Sequence, residues 1–361
     1  MSRYLKPLSL TASLLAGTAM ADVPRVAVDI APVHSLVARV MDGVGTPSLI
    51  VQPGASPHEY SLRPSEAQAL QDADLVFWIG EGLTPWMHES IETLAGDAAV
   101  TTLLEADGTV LLGFREGALF EAHSHGDEDH AEGDGHDHDH EEHTEGADHD
   151  HDKTEHTEGE AHDDAAHAEE HDHEHEKHAE AEAHDHGHDH GAHDPHAWLS
   201  PENAATWLNV IAAQLSAADP DNAGAYFANA AAAREEIAAV SAEVKATLDP
   251  MRDGRFIVFH DAYQYFETAF DFPASGAISI SDASDPSPAR IAEIQGRIAG
   301  ENIQCVLSEP QFDAGLVATV MDGTDAKTAV LDPLGSNLET GAGLYPQLLR
   351  DLATSLAACL S

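Results

Sequence analysis

The chain has 361 residues, with 16 Lys and Arg against 65 Asp and Glu, and a formal net charge of −49. So acidic a chain repels nucleic-acid phosphate and gathers cations, although the charge outside one tract equally fits solubility or salt adaptation. At roughly 100–200 residues per domain, the length suggests two domains.

Residues 1–21 read as a secretory leader. Arg3 and Lys6 make a basic start, Leu8 to Leu15 a short apolar run, and Ala19-Met20-Ala21 a small-x-small cleavage site. The run is too short to cross a membrane, and no other stretch reaches about 18 apolar residues. No Cys near the cleavage point offers a lipid anchor. The expectation is a soluble exported protein beginning at Asp22, in a bacterial periplasm.

Short apolar β-type runs then alternate with helical patterns. Arg25–Ile30, Ser48–Val51, Asp74–Ile79 and Val100–Leu103 read as strands, and Ser35–Met41, Ser65–Asp72 and Trp86–Leu94 as helices between them. From His123 to His193 the pattern stops. This tract holds 21 of the 26 His and 27 of the 65 acids, with no Val, Ile, Leu, Phe, Trp or Tyr. It cannot bury enough apolar surface to offset its chain entropy, so disorder is expected. Its His-x-His units, such as His136-Asp-His138-Asp-His140 and His184-Asp-His186-Gly-His188-Asp-His190, suit borderline divalent metals, zinc above all.

Beyond the tract, Pro201–Ala217 reads as a helix opened by proline, and Asn222–Leu248 as a long Ala-rich helix stopped by Pro250. The first pattern recurs after it. Phe256–Phe259, Ala277–Ile280, Ile303–Leu307 and Thr328–Leu331 read as strands, and Pro288–Ala299, Ala314–Met321 and Leu344–Ala358 as helices. The fold expected is α/β: two lobes, each a four-stranded mostly parallel sheet with flanking helices, joined by one long helix. The boundaries are 22–218 for the first lobe with its insertion at 123–193, 219–249 for the helix and 250–361 for the second lobe. The two cysteines, Cys305 in a buried strand and Cys359 in the terminal helix, read as a disulfide in an exported protein. A thiolate metal site is the other reading.

Parallel α/β sheets place ligands beyond the carboxyl ends of their strands. That rule filters the five histidines outside the tract. His58 lies in Gln-Pro-Gly-Ala-Ser-Pro-His-Glu-Tyr (52–60), after the second strand. His260 ends the fifth strand in Phe-His-Asp-Ala-Tyr (259–263), and Asp332 ends the eighth in Leu-Asp-Pro-Leu-Gly (331–335). His196 lies in Asp-Pro-His-Ala-Trp (194–198), where the tract gives way to a helix. Three imidazoles plus one carboxylate or a water make a sound four-coordinate zinc set. Asp332 precedes Pro333 and is equally suited to holding a turn. His34 has the setting of a helix start, and His88 that of a side chain on a helix. Glu59, Asp194, Asp261 and Glu309 are placed to accept the free ring N–H of a ligand.

At these residues the chain resembles the zinc-binding, ZnuA-like branch of the metal-specific substrate-binding proteins of ABC importers. The resemblance spans the mature chain. It is carried by 54–64, 194–201, 259–263, Glu-Pro-Gln-Phe (309–312) and 331–335. It implies two α/β lobes, a metal held between them and delivery to a membrane permease. His58, His196 and His260 match the three zinc-binding histidines. Asp332 stands where several relatives have a carboxylate ligand, and Cys305 and Cys359 match a disulfide pair seen in several members. A histidine at 260, where manganese and iron relatives tend to have a carboxylate, favours zinc. Pro57 departs from zinc members that carry an acid before the first histidine, which leaves Asp332 or a water as fourth donor.

The function expected is therefore a periplasmic receptor for Zn(II), a monomer without organic cofactor or catalytic group. The tract would bind further zinc more weakly, as a reservoir or feeder. A zinc buffer without a transporter, a manganese receptor and a zinc hydrolase are the rivals; the chain lacks the His-Glu-x-x-His run of many such hydrolases.

Overall fold

A computed structural model of the chain describes residues 23–115, 120, 193–279 and 286–361. The leader at 1–21, the tract up to residue 192 and the expected strand end at Ile280 lie outside the described residues.

The first sheet is built from β1 (Val26–Val28), β2 (Ser48–Leu49), β3 (Leu75–Trp78) and β4 (Ala99–Thr102), in the order β2-β1-β3-β4. The second is built from β5 (Phe256–His260), β6 (Ala277–Ser279), β7 (Cys305–Ser308) and β8 (Lys327–Val330), in the order β6-β5-β7-β8. Every pairing is parallel. The two sheets thus share one topology, and the chain order reverses on either side of β1 and of β5. The crevice at such a reversal lies beyond the strand ends, where His58 and His260 were expected.

Helices α1 (Ala31–Val40), α2 (Pro64–Gln71) and α3 (Pro85–Leu94) connect the first sheet. Next come α4 (Pro201–Ala218) and α5 (Ala223–Leu248), then α6 (Gln264–Phe270), α7 (Pro288–Gly300), α8 (Ala314–Met321) and α9 (Leu344–Leu360). Pro opens α2, α3, α4 and α7, where its missing N–H costs no helical bond. Ser200 and Ser287 cap α4 and α7 by accepting from Asn203 N and Arg290 N, each at 3.2 Å. The long helix is α5, 26 residues. The departure from the sequence reading is α6, which was not expected.

Period-two alternation divides each sheet between two cores. Val26, Val28, Leu75 and Phe77 face one way, while Ala27, Val76 and Trp78 pack with Leu70, Met87 and Ile91 of α2 and α3. In the second sheet Phe256, Val258, Cys305 and Leu307 face one way, and Ile257, Phe259 and Val306 pack against Ile294, Ile298 and Val317 of α7 and α8. The first set from each sheet joins a single core with α1, α4, α5 and α9. Both sheets belong to one packed unit. Each fully buried Leu or Phe in that shared core is worth about 1.5–3 kcal/mol, so the core fixes where the two sets of strand ends stand. The disulfide Cys305–Cys359 ties β7 to α9 across 54 residues, with Cα atoms 5.8 Å apart.

Asp29, just beyond β1, is wholly buried. Its Oδ1 accepts from Ile30 N at 2.7 Å and its Oδ2 from Ile79 N at 2.6 Å, tying the ends of β1 and β3. Burial pushes its carboxyl up to about 7, against the pull of those N–H groups. The folded chain therefore holds a proton that the unfolded chain, with an ordinary Asp near 3.9, has lost. The resulting stabilisation is full below pH ~4 and disappears as pH rises through about 7. Asp29→Asn is expected to flatten the pH profile of unfolding across this window by about 1 kcal/mol per pH unit. An unchanged slope in urea melts would refute the assignment.

Candidate metal centre

His58 is placed by a loop pinned from two helices. The Trp86 indole of α3 donates to Pro57 O at 2.7 Å, and the Tyr60 hydroxyl donates to Glu66 Oε1 of α2 at 2.8 Å. Glu66 Oε2 also accepts from Arg63 N at 2.7 Å, so one carboxylate both caps α2 and fixes the loop. His196 ends a short link and opens a 3-10 turn at Ala197–Leu199. Trp198 in that turn donates to Pro333 O at 2.8 Å, and Tyr345 of α9 donates to Trp198 O at 2.8 Å. These bonds carry the segment of His196 onto the second sheet. His260 is the last residue of β5, and its ring meets Phe312 edge-on with centroids 5.3 Å apart.

The three imidazoles converge. One nitrogen from each of His58, His196 and His260 lies within 4.8 Å of the others, a set that could hold a metal ion. His196 Nδ1 is 2.7 Å from Asp194 Oδ1, and His260 Nδ1 is 2.8 Å from Glu309 Oε1. A carboxylate beside Nδ1 fixes the tautomer with the proton there and a lone pair on Nε2. The two Nε2 atoms are 3.3 Å apart. Neutral rings so oriented turn two lone pairs toward each other, and a cation between them removes the repulsion. Tetrahedral zinc with Zn–N bonds of about 2.0–2.1 Å sets its nitrogens about 3.3–3.4 Å apart, which is the spacing seen.

Asp194 and Glu309 are buried, and burial pushes the Asp194 carboxyl up to about 7 while the His196 N–H draws it back. The cavity bounded by the histidines has a volume of about 10 Å³, room for one water-sized group. Trp198, Phe312, Pro333 and Leu334 supply apolar walls.

Asp332 is not brought into this cluster. Its Oδ1 accepts from Leu334 N at 3.0 Å and Gly335 N at 3.1 Å, and its Oδ2 from Ser336 N at 2.6 Å. Gln311 Nε2 adds a bond at 3.0 Å and the Ser336 hydroxyl one at 3.4 Å. Gly335 completes the turn at φ +69°, a conformation that suits glycine. Of the two roles open to Asp332 in the sequence, the turn prevails, and the residue lines a separate cavity with Val330 and Leu338.

Of the four acids weighed as partners, Asp194 and Glu309 serve His196 and His260. Glu59 is exposed. Asp261 is spent on Arg115, whose Nε lies 2.9 Å from its Oδ1 and whose Nη1 lies 2.7 Å from Glu267 Oε2 of α6. Arg115 thereby ties the segment after β4 to α6 and to the residue that follows His260. Tyr265 adds to this: its hydroxyl accepts from Leu112 N and donates to Asp194 O, each at 2.9 Å. His34 sits inside α1 with Nε2 3.1 Å from Pro47 O, and burial lowers its pKa. His88 on α3 is exposed, 3.8 Å from Glu92. Arg115 was not singled out in the sequence, where its only local signal is a lone Arg ahead of an acidic stretch; Gln311 and Phe312 lie in the Glu-Pro-Gln-Phe segment (309–312), which carries the resemblance but gives neither residue a role.

The sequence matches the family described as "ZnuA: Zinc-uptake complex component A periplasmic" over residues 26–359. The high-affinity zinc uptake system protein ZnuA of Brucella suis biovar 1 is 48% identical over 336 residues, covering 93% of this chain and 91% of that protein. The protein of the same name from Paracoccus denitrificans is 44% identical over 361 residues, covering 99% of each. A crystal structure of ZnuA superposes with a TM-score of 0.66 at 20% identity, covering 94% of this chain and all of that one. The chain belongs to the ZnuA family of zinc-uptake binding proteins.

Proposed function

We propose that this chain captures Zn(II) in the periplasm and hands it to the permease of an ABC importer. His58, His196 and His260 are the protein ligands and a water is the fourth donor. The supporting observation is the pair of Nε2 atoms at 3.3 Å, each backed by a carboxylate on Nδ1. Three imidazole ligands favour zinc over manganese. The export leader is removed after Ala21, and among the described residues no helix is long and apolar enough to cross a membrane. Lobes at 22–218 and 250–361, joined by the helix at 219–249, present the ligands from separate segments. Zinc then selects a more closed arrangement for the permease to read. The protein acts as a monomer, without organic cofactor or covalent chemistry. The insertion at 123–193 binds further zinc more weakly, as a reservoir or feeder.

Competitive titration with zinc and manganese, with and without residues 123–193, tests this reading. One tight zinc equivalent is expected in both forms, with additional weaker equivalents only when the insertion is present. Tighter manganese binding, or loss of the tight equivalent with the insertion, would contradict it.

A further inference from the structure

Two acceptor atoms at the metal centre stand apart from the rest. Glu309 Oε2 and Gln311 Oε1 are buried and have no hydrogen-bond partner among the described residues. Both residues line the small cavity bounded by the three histidines. A buried acceptor left unmet costs about 1–3 kcal/mol, so native structures keep such atoms for a ligand or an ordered water.

The orientation of Gln311 is dictated rather than chosen. Its Nε2 donates to Asp332 Oδ1 at 3.0 Å and to Ser336 Oγ at 2.9 Å. Turning the amide over would set its carbonyl oxygen against the Asp332 carboxylate. Asp332 therefore acts at a distance, by holding the Gln311 amide so that Oε1 is its remaining polar atom. Glu309 is constrained in the same way. Its Oε1 accepts from His260 Nδ1 at 2.8 Å and lies 3.3 Å from His260 N. The Tyr263 hydroxyl also lies against the Glu309 carboxylate, and its single proton goes to Leu331 O at 3.1 Å.

We propose that Gln311 is a positioning residue for the fourth metal donor, a water whose two protons are accepted by Gln311 Oε1 and Glu309 Oε2. The inference rests on the receptor reading above. The stoichiometry closes, because a metal-bound water has two protons to give and the cavity offers two buried acceptors. The room agrees too, since about 10 Å³ is enough for one water. The site is then selective at its fourth position. An anion has no proton for either acceptor and would face the Glu309 carboxylate. The centre therefore takes a bare aquo ion and rejects one that keeps an anionic ligand.

The test uses the mature full-length chain, its Gln311→Met variant and Co(II) as a spectroscopic stand-in for zinc at the tight site. Gln311→Met keeps the length of the side chain and removes the acceptor. Zinc affinity at that site is expected to fall about 10–100-fold, as for loss of other groups that support a bound metal. Azide binding to the Co(II) form, read by visible absorption, is expected to strengthen at least about tenfold, a change that loss of packing alone would not produce. X-ray absorption on the zinc-loaded wild type supplies a measurement independent of the variant's folding. It should show three imidazoles and one water oxygen. A carboxylate oxygen of Asp332 or Glu309 bound directly to zinc, or unchanged azide affinity in a folded variant, would overturn the inference and leave the receptor reading standing. Absence of any tight ion at the three histidines of the wild type would overturn both.

Discussion

Replacing any one of His58, His196 and His260 by Ala is expected to weaken tight zinc binding about 100-fold and to leave the fold unchanged. Zinc held by four protein ligands is bound by about 10–16 kcal/mol, or about 3 kcal/mol per ligand, and that corresponds to about two decades in Kd. The fold should survive because the shared core is built from aliphatic and aromatic side chains that remain in place, His196 and His260 bordering it against Trp198 and Tyr263. The variants should nevertheless differ. His196→Ala and His260→Ala each leave a buried carboxylate, Asp194 or Glu309, without its ring partner, whereas His58 is only half-buried. His58→Ala should therefore lose metal affinity with the smallest change in the Tm of the apo protein. Calorimetric titration beside thermal unfolding checks both parts. Tight binding by all three variants would remove the histidines from the site.

Replacing Cys305 and Cys359 together by Ser is expected to destabilise the chain by about 4 kcal/mol, from the entropy of closing a loop of this length. The bridge spans 54 residues and joins a buried strand to the terminal helix. Both half-cystines lie in the shared core, so introducing hydroxyls there adds to the cost. The cysteines are remote from the histidines along the second sheet, because Cys305 is the first residue of β7 and Glu309 follows its last. Zinc affinity measured below the lowered Tm should therefore stay within about threefold of the parent, since distant sites couple weakly. Urea melts of the pair variant and of the reduced parent should agree. A loss under about 1 kcal/mol would mean that the unfolded chain gains little from release of the bridge.

The eight strands were legible because each is a short apolar run followed by a turn and a helical pattern, twice over. Their alternation is plain only in retrospect: Val26 and Val28 serve one core and Ala27 another, yet all read as apolar. Helix α6 went unseen because Gln264–Phe270 is only seven residues, rich in aromatics, and lacks a side-chain cap. The three histidines could be picked out because strand ends in parallel sheets converge, a rule that uses position alone. Asp332 satisfied the same rule and is engaged elsewhere. Asp-Pro-Leu-Gly is also a turn sequence, and the backbone N–H groups of residues 334–336 claim the carboxylate. Which of two adjacent acids turns toward a ring depends on side-chain geometry that spacing does not encode; Asp194 does, and Glu59 does not. Arg115 was beyond reach because its partners, Asp261 and Glu267, lie 146 and 152 residues away.

The central claim, that zinc sits between the strand ends on three solitary histidines, is tested most directly by an anomalous difference map at the zinc edge from crystals of the zinc-loaded chain. The account predicts a strong peak about 2.0–2.1 Å from one nitrogen of each of His58, His196 and His260. A principal peak anywhere else, or one that leaves any of the three rings unbound, would contradict it.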